Sequence, residues 1–264
     1  MVLTEEQTTD LTPEQTTGLT PEQISWIVLG ASLVATIIFV ILYSKYMKKK
    51  EFSWARFAAR VAIFGALSSI LYVVPVFQLK LPFLPAFMEL HFDEVPAFIA
   101  GYAYGPFTAF IVILIKTLIK LPFSSTFCVG ELADLIFSSA FVLPAAFIYK
   151  KVRNLKGVFI GFGVSFVLQI IVASLMNVYA ILPFYMQVMN YPYDAIMDMC
   201  SKANPLVKNL GFDYVIFIVV PMNIIKNTIV LVLTYFVYKG IHKSLRWEKP
   251  EEKEEPEVVD VQAE

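Results

Sequence analysis

Residues 95–115 read VPAFIAGYAYGPFTAFIVILI, an uncharged run broken in the middle by Gly105-Pro106. The fold turns on whether this run crosses a membrane once or twice. About 20 apolar residues span a hydrocarbon core about 30 Å thick, so by length it suits a single span. Gly followed by Pro, however, is a strong break signal. Charge settles the matter. Lys and Arg cluster in three short blocks, at 48–60, 150–156 and 239–246, and basic short loops mark the cytoplasmic side. One span at 95–115 would put the 150–156 block outside, opposite the 48–60 block. A cytoplasmic turn at Gly105-Pro106 puts all three on one side. The sequence therefore predicts two spans here, at about 93–104 and 106–121, the first short and tucked against its neighbours.

Working outward, residues 24–43 and 61–79 are uncharged and apolar. Residues 135–149 form another apolar run, preceded by Gly130, Glu131 and Asp134. The uncharged run at 157–189 is too long for one straight span at about 1.5 Å per residue, and the chain is expected to leave the helix near Pro183. Residues 214–238 are apolar except for Lys226. The prediction is an all-α integral membrane protein: a six-helix core at 54–246, preceded by one extra N-terminal transmembrane helix at 24–45. The tail at 1–23 falls outside and the tail at 247–264 in the cytoplasm. The loops at 80–94 and 190–213 face outside.

Composition agrees. The chain has 264 residues, 58% hydrophobic and 16% charged, with a mean hydropathy of +0.67. Soluble domains are about half apolar and about a quarter charged. A formal net charge of -1, with acids gathered in the two tails, argues against a nucleic-acid binder, which carries a basic stripe. The first tail repeats TEEQTTDL, TPEQTTGL, TPEQ with no apolar face and reads as disordered. It lacks the basic start and apolar core of a signal peptide. Cys128 and Cys200 make neither a disulfide framework nor a metal site. No phosphate-binding G-x-x-x-x-G-K-[S/T], H-E-x-x-H or G-x-S-x-G motif occurs, which removes ATP binding of that type and two hydrolase classes. His91 and His242 are the only histidines, too few for haem ligation across helices. The chain carries no visible energy source of its own.

The polar residues inside the apolar runs are the candidate site. Lys226 sits mid-span, where an ionisable group costs at least ~2.5 kcal/mol on insertion scales. Asn223 lies on the same face one turn earlier, and Pro221 loosens the backbone ladder before both. Lys226 is either satisfied by a carboxylate, with Glu131 the natural partner, or forms a ligand-facing donor pair with Asn223. On the preceding span Gln169 and Asn177 share a stripe with Ser174 nearby. Such residues either bond helix to helix or face a ligand. The loop at 80–94, rich in Pro, Phe and Leu and carrying Met88, either caps a pocket or anchors at the interface. Ala58, Ala62 and Ala66 recur at i, i+4, i+8 beside Gly65, a spacing that permits close helix approach, within the chain or with a partner.

Three segments together resemble a known family. They are FDEVPAFIAGYAYGP (92–106), KLPFSSTFCVGELADLI (120–136) and PMNIIKN (221–227). Residues 55–246 resemble the substrate-binding S components of energy-coupling factor (ECF) transporters, in their riboflavin-specific branch. The resemblance implies a flavin pocket near the outer side, with Asn223 and Lys226 hydrogen-bonding the isoalloxazine ring. Asn177 is similar to the family's asparagine on the preceding span, and Glu131 would lie at the pocket mouth or brace Lys226. Met88 falls on the first outer loop, which the family uses for ligand contact. The resemblance also implies docking through Ala58, Ala62 and Ala66 onto a shared transmembrane coupling subunit, itself joined to two ATPase subunits. It implies a bacterial cell membrane and riboflavin as transported ligand, not cofactor. Phe127 and Cys128 stand where smaller residues are expected, and Asp134 where Asn is expected. Another flavin such as FMN, or pantothenate or folate, stays open as ligand. A membrane assembly or structural protein, whose polar residues only pack helices, is the reading from a different class. An intramembrane enzyme fits poorly, given the scarcity of His and of paired acids.

Overall fold

In the computed structural model, residues 54–245 are described apart from Ala86 and Ser125, together with Gln23 and a few positions of the segment at 27–41. Those positions, such as Ile27, Gly30, Val34 and Ile41, are helical and exposed. The rest of the expected extra span, and both tails, lie outside the described residues.

The core is a bundle of helices. α1 is Trp54–Val73, α2 Glu94–Tyr104, α3 Pro106–Lys120 and α4 Val129–Lys151. α5 runs over Leu155–Gln187, α6 is Tyr193–Ala203, and α7 starts at Phe212 and continues through Val220–Leu245. Five helical runs among the described residues are long and apolar enough to cross a membrane: α1, Pro106–Phe123, α4, α5 and Phe212–Ile241. α2 is not. Its 11 residues cover roughly 16 Å at 1.5 Å per residue.

α2 is nonetheless the centre of the bundle, packed against α1, α3, α4 and α7. Every residue from 94 to 102 is buried, as expected of a helix apolar nearly all round. Small side chains let its neighbours in. A Cβ on Gly101 would stand 2.9 Å from the Ala146 Cβ. The break at Gly105-Pro106 is real: Gly105 has φ 100 and ψ 166, a conformation only glycine adopts without strain, and Pro106 then opens α3 where its missing N–H costs nothing. At this end of the bundle Arg60 lies over the Tyr104 ring, 4.3 Å from its centroid, and Tyr102, Tyr149 and Tyr238 meet. The basic ends of α1, α4 and α7 are thereby gathered at one end.

Two elements depart from expectation. α5 does not stop at Pro183. It widens into a π turn at Asn177–Ile181, with the Leu182 N–H reaching back to the Asn177 carbonyl, and continues to Gln187. α7 does the same ahead of Pro221, with a π turn at Val215–Val219 and the Val220 N–H on the Val215 carbonyl. Each π turn ends two residues before its proline. A proline ring clashes with the carbonyl four residues earlier and gives it no donor, and the wider turn makes room for the ring. On α7 the carbonyl at that position, Phe217, accepts instead from the Asn204 amide at 3.2 Å. The loop at 190–213 is also less loop than expected, since it contains α6, which buries Ile196 and Cys200.

Candidate functional site

At the end opposite the basic ends of α1, α4 and α7 the helices part around a cavity of about 630 Å³, within the range of small-molecule sites. Its walls come from α1 (Tyr72), the 78–91 loop, the start of α4, α5 around its π turn, α6 and α7. The loop is closed by two backbone hydrogen bonds between Leu79 and Leu90, at 2.8 and 2.9 Å, and by a Lys80–Glu89 ion pair at 3.3 Å. It hangs Phe87, Met88 and His91 over the cavity.

The polar side of the cavity is built on the two π turns. Gln169 donates to the Asn223 Oδ1 at 2.7 Å, and Asn227 donates to the Gln169 Oε1 at 2.7 Å, tying α5 to α7. Asn223 donates to the Val219 carbonyl at 2.7 Å. Asn177 donates to the Ala173 carbonyl at 2.9 Å and accepts from the Tyr214 hydroxyl at 3.1 Å. An amide carries two N–H donors, so Asn177 and Asn223 each keep one beyond these bonds. Both line the cavity. Gln169 thus bonds helix to helix, and it lines the cavity together with the two asparagines.

Lys226 lines the cavity as well, with its ammonium 2.5 Å from the Glu94 Oε1. This corrects the expectation that Glu131 would be its carboxylate. Glu131 lines the cavity too, but it accepts from the Ser124 and Thr126 hydroxyls at 2.6 and 3.1 Å. Those hydroxyls also take the N–H groups of Cys128 and Gly130. Glu131 therefore secures the tight entry to α4, where Phe127 and Cys128 have φ of 49 and 68. Glycine suits that conformation best, so smaller residues fit there for backbone reasons.

A second charge centre went unread in the sequence. Lys116 on α3 is fully buried. It pairs with Asp93, with Asp134 at 2.8 Å, and with the Ser138 hydroxyl at 2.8 Å. The His91 Nδ1 lies 2.5 Å from the Asp93 Oδ1. Lys116 falls inside the span expected at about 106–121, and Asp93 and Glu94 at the start of the one at 93–104. The signal that could have found them is the charge match, with Asp93, Glu94 and Asp134 set against Lys116 and Lys226. His91, Asp93 and Glu94 bring possible metal-ligand atoms within 4.8 Å of one another. Each of the two carboxylates already holds an ammonium, so the chain supplies its own cations there.

The five residues expected to meet substrate, Asn177, Asn223, Lys226, Glu131 and Met88, all line the one cavity. Ala58, Ala62 and Ala66 lie elsewhere, exposed on α1. Gly65, by contrast, faces inward, where a Cβ would stand 3.2 Å from Ile115.

A family model described as "ECF transporter, substrate-specific component" matches residues 56–238. The chain belongs to this family. ECF substrate-specific components are membrane transport proteins, and this one is multi-pass and all-helical through its described core. Among curated relatives, the "Riboflavin transporter RibU" of Staphylococcus aureus is 27% identical over 187 residues, covering 71% of this chain and 92% of that protein. The "Riboflavin transporter FmnP" of Bacillus subtilis is 28% identical over 182 residues, covering 68% and 90%. A solved structure described as the S component of a bacterial ECF transporter has a TM-score of 0.57 at 24% identity, covering 74% of this chain and 99% of that one. At that identity it speaks for the fold alone.

Proposed function

We propose that this protein is the riboflavin-binding subunit of an ECF-type uptake transporter. It captures the vitamin in the 630 Å³ cavity and delivers it inwards when coupled to a transmembrane subunit and two ATPase subunits. The observation that carries this reading is that one cavity combines aromatic and thioether side chains, Phe87, Met88 and Tyr185, with the donors Asn177, Asn223 and Lys226. The isoalloxazine ring is flat and apolar, edged with carbonyl oxygens and ring nitrogens. Free amide N–H groups and an ammonium are the donors such an edge takes, and a ligand lacking those acceptors leaves them unpaired at about 1–3 kcal/mol each. The names of the two relatives point to the same ligand. Phe87, Met88 and Tyr185 supply the ring contact, and Glu131 stands beside them at the start of α4. It is a binding protein, not an enzyme.

The basic ends of α1, α4 and α7 favour a cytoplasmic face opposite the cavity, because short basic loops stay inside. The cavity then opens outwards, with the N-terminus outside and the C-terminus inside. Ala58, Ala62 and Ala66 form the docking face for the transmembrane subunit. Coupling energy enters there, since the chain has no nucleotide motif of its own.

The test is titration of the purified full chain with riboflavin. Saturable fluorescence quenching at one flavin per chain, and a yellow preparation from riboflavin-fed cells, are the expected results. A colourless protein that quenches no riboflavin, or that binds pantothenate or folate in preference, overturns the proposal.

A further inference from the structure

We infer that Glu94 is the positioning residue for the cavity, holding the Lys226 ammonium at the ligand edge while touching no ligand itself. This rests on the riboflavin-binding reading above. Glu94 is absent from the cavity wall and is 1% exposed at the start of α2, behind Lys226. Its Oε1 takes the Lys226 ammonium at 2.5 Å and a longer contact of 3.4 Å from the Ser138 hydroxyl. Its Oε2 is buried without a hydrogen-bond partner. The carboxylate therefore depends on Lys226 for its main contact.

The other acids nearby are committed elsewhere. Asp93 and Asp134 share Lys116, and Glu131 takes Ser124 and Thr126. Three of these four buried acids are thus divided between two lysines, and Glu94 is the one assigned to Lys226, which faces the cavity. An ammonium has three donors. One is used on Glu94, which anchors the group from behind and leaves two for the ligand. A flexible four-carbon side chain without that anchor swings between many rotamers, and its charge, buried and unpaired, is costly to keep. Glu94 itself cannot drift, because α2 is enclosed by α1, α3, α4 and α7. The Ser68 hydroxyl also fixes its neighbour by donating to the Asp93 carbonyl at 2.5 Å.

The experiment compares Glu94→Gln, Glu94→Asp, Lys226→Met and the double variant Glu94→Gln/Lys226→Met in the purified full chain. It reads riboflavin affinity together with the visible absorption spectrum of the bound flavin. A cation at the carbonyl edge shifts the flavin bands, so the spectrum reports the ammonium directly. Glu94→Gln is expected to weaken binding about thirtyfold and to give bound flavin the spectrum seen with Lys226→Met. The double variant is expected to lose no more than Lys226→Met alone. Glu94→Asp keeps the charge and so the fold, but draws the ammonium back by one methylene; it is expected to show an intermediate affinity and spectrum. If Glu94→Gln fails to fold, Glu94→Asp decides. Wild-type affinity and spectrum in Glu94→Asp, or losses that add up in the double variant, overturn the role of Glu94. Failure of the unmodified chain to bind riboflavin overturns the parent reading instead.

Discussion

Two buried lysines on different helices, Lys116 and Lys226, divide this protein. Lys116 and Lys226 are both nearly sealed from solvent, at 0% and 6% exposure. Lys116 has Asp93, Asp134 and Ser138 around its ammonium, so all three of its donors are used within the chain. Lys226 has one carboxylate, Glu94, and an open cavity on its other side. Identical chemistry serves structure in one place and, in the function we propose, recognition in the other. The difference lies in how many partners the surrounding helices supply. A saturated ammonium locks helices together; an unsaturated one waits for a ligand.

The largest effect should come from attacking the saturated lysine. Lys116→Met strands Asp93 and Asp134 as buried, uncompensated charges and should cost roughly 3–5 kcal/mol of stability. Thermal unfolding in detergent, or loss of monodisperse protein on gel filtration, measures it. Full stability would mean that the two carboxylates find other partners. Lys226→Ala should instead weaken riboflavin binding at least about thirtyfold, read by fluorescence titration, while stability falls less than with Lys116→Met, because one buried carboxylate, Glu94, loses its ammonium rather than two. Unchanged affinity would remove Lys226 from the site and erase the contrast. Asn223→Ala and Asn177→Ala should each cost about tenfold in affinity, the worth of one buried hydrogen bond left unmade. The smallest effect on binding belongs to α1. Ala62→Leu adds bulk to an exposed helix face and should leave the riboflavin affinity of the isolated chain within about twofold. Co-purification with the transmembrane coupling subunit should be lost, and retained assembly would move the docking face elsewhere.

Much of this architecture was legible in the sequence because it follows from local physics. The break at Gly105-Pro106 needs only a glycine-tolerant φ and a ring without a donor. The long spans need only apolar length, and the five helices that meet that criterion lie where apolar runs predicted them. The V-G-E-L-A and N-I-I-K segments carried the family resemblance, which the match over residues 56–238 bears out. The end of α5 was misread at Pro183, because a π turn absorbs the proline and leaves no trace in residue spacing. Lys116 directly follows the uncharged run that ends at Ile115 and has no spacing signal of its own, and nothing along the chain favours Glu94 over Glu131 as the acid that meets Lys226.

The long apolar helices, the membrane setting and the polar residues within them at Asn177, Asn223 and Lys226 were thus determined by the sequence alone, since apolar length, turn chemistry and motif are properties of neighbouring residues. Which acid meets which lysine was decided only in three dimensions. Glu94 and Lys226 stand on α2 and α7 and meet because glycine and alanine on α2 let it sink to the centre of the bundle. No spacing rule along the chain encodes that approach, because it depends on the summed packing of four helices around one short one.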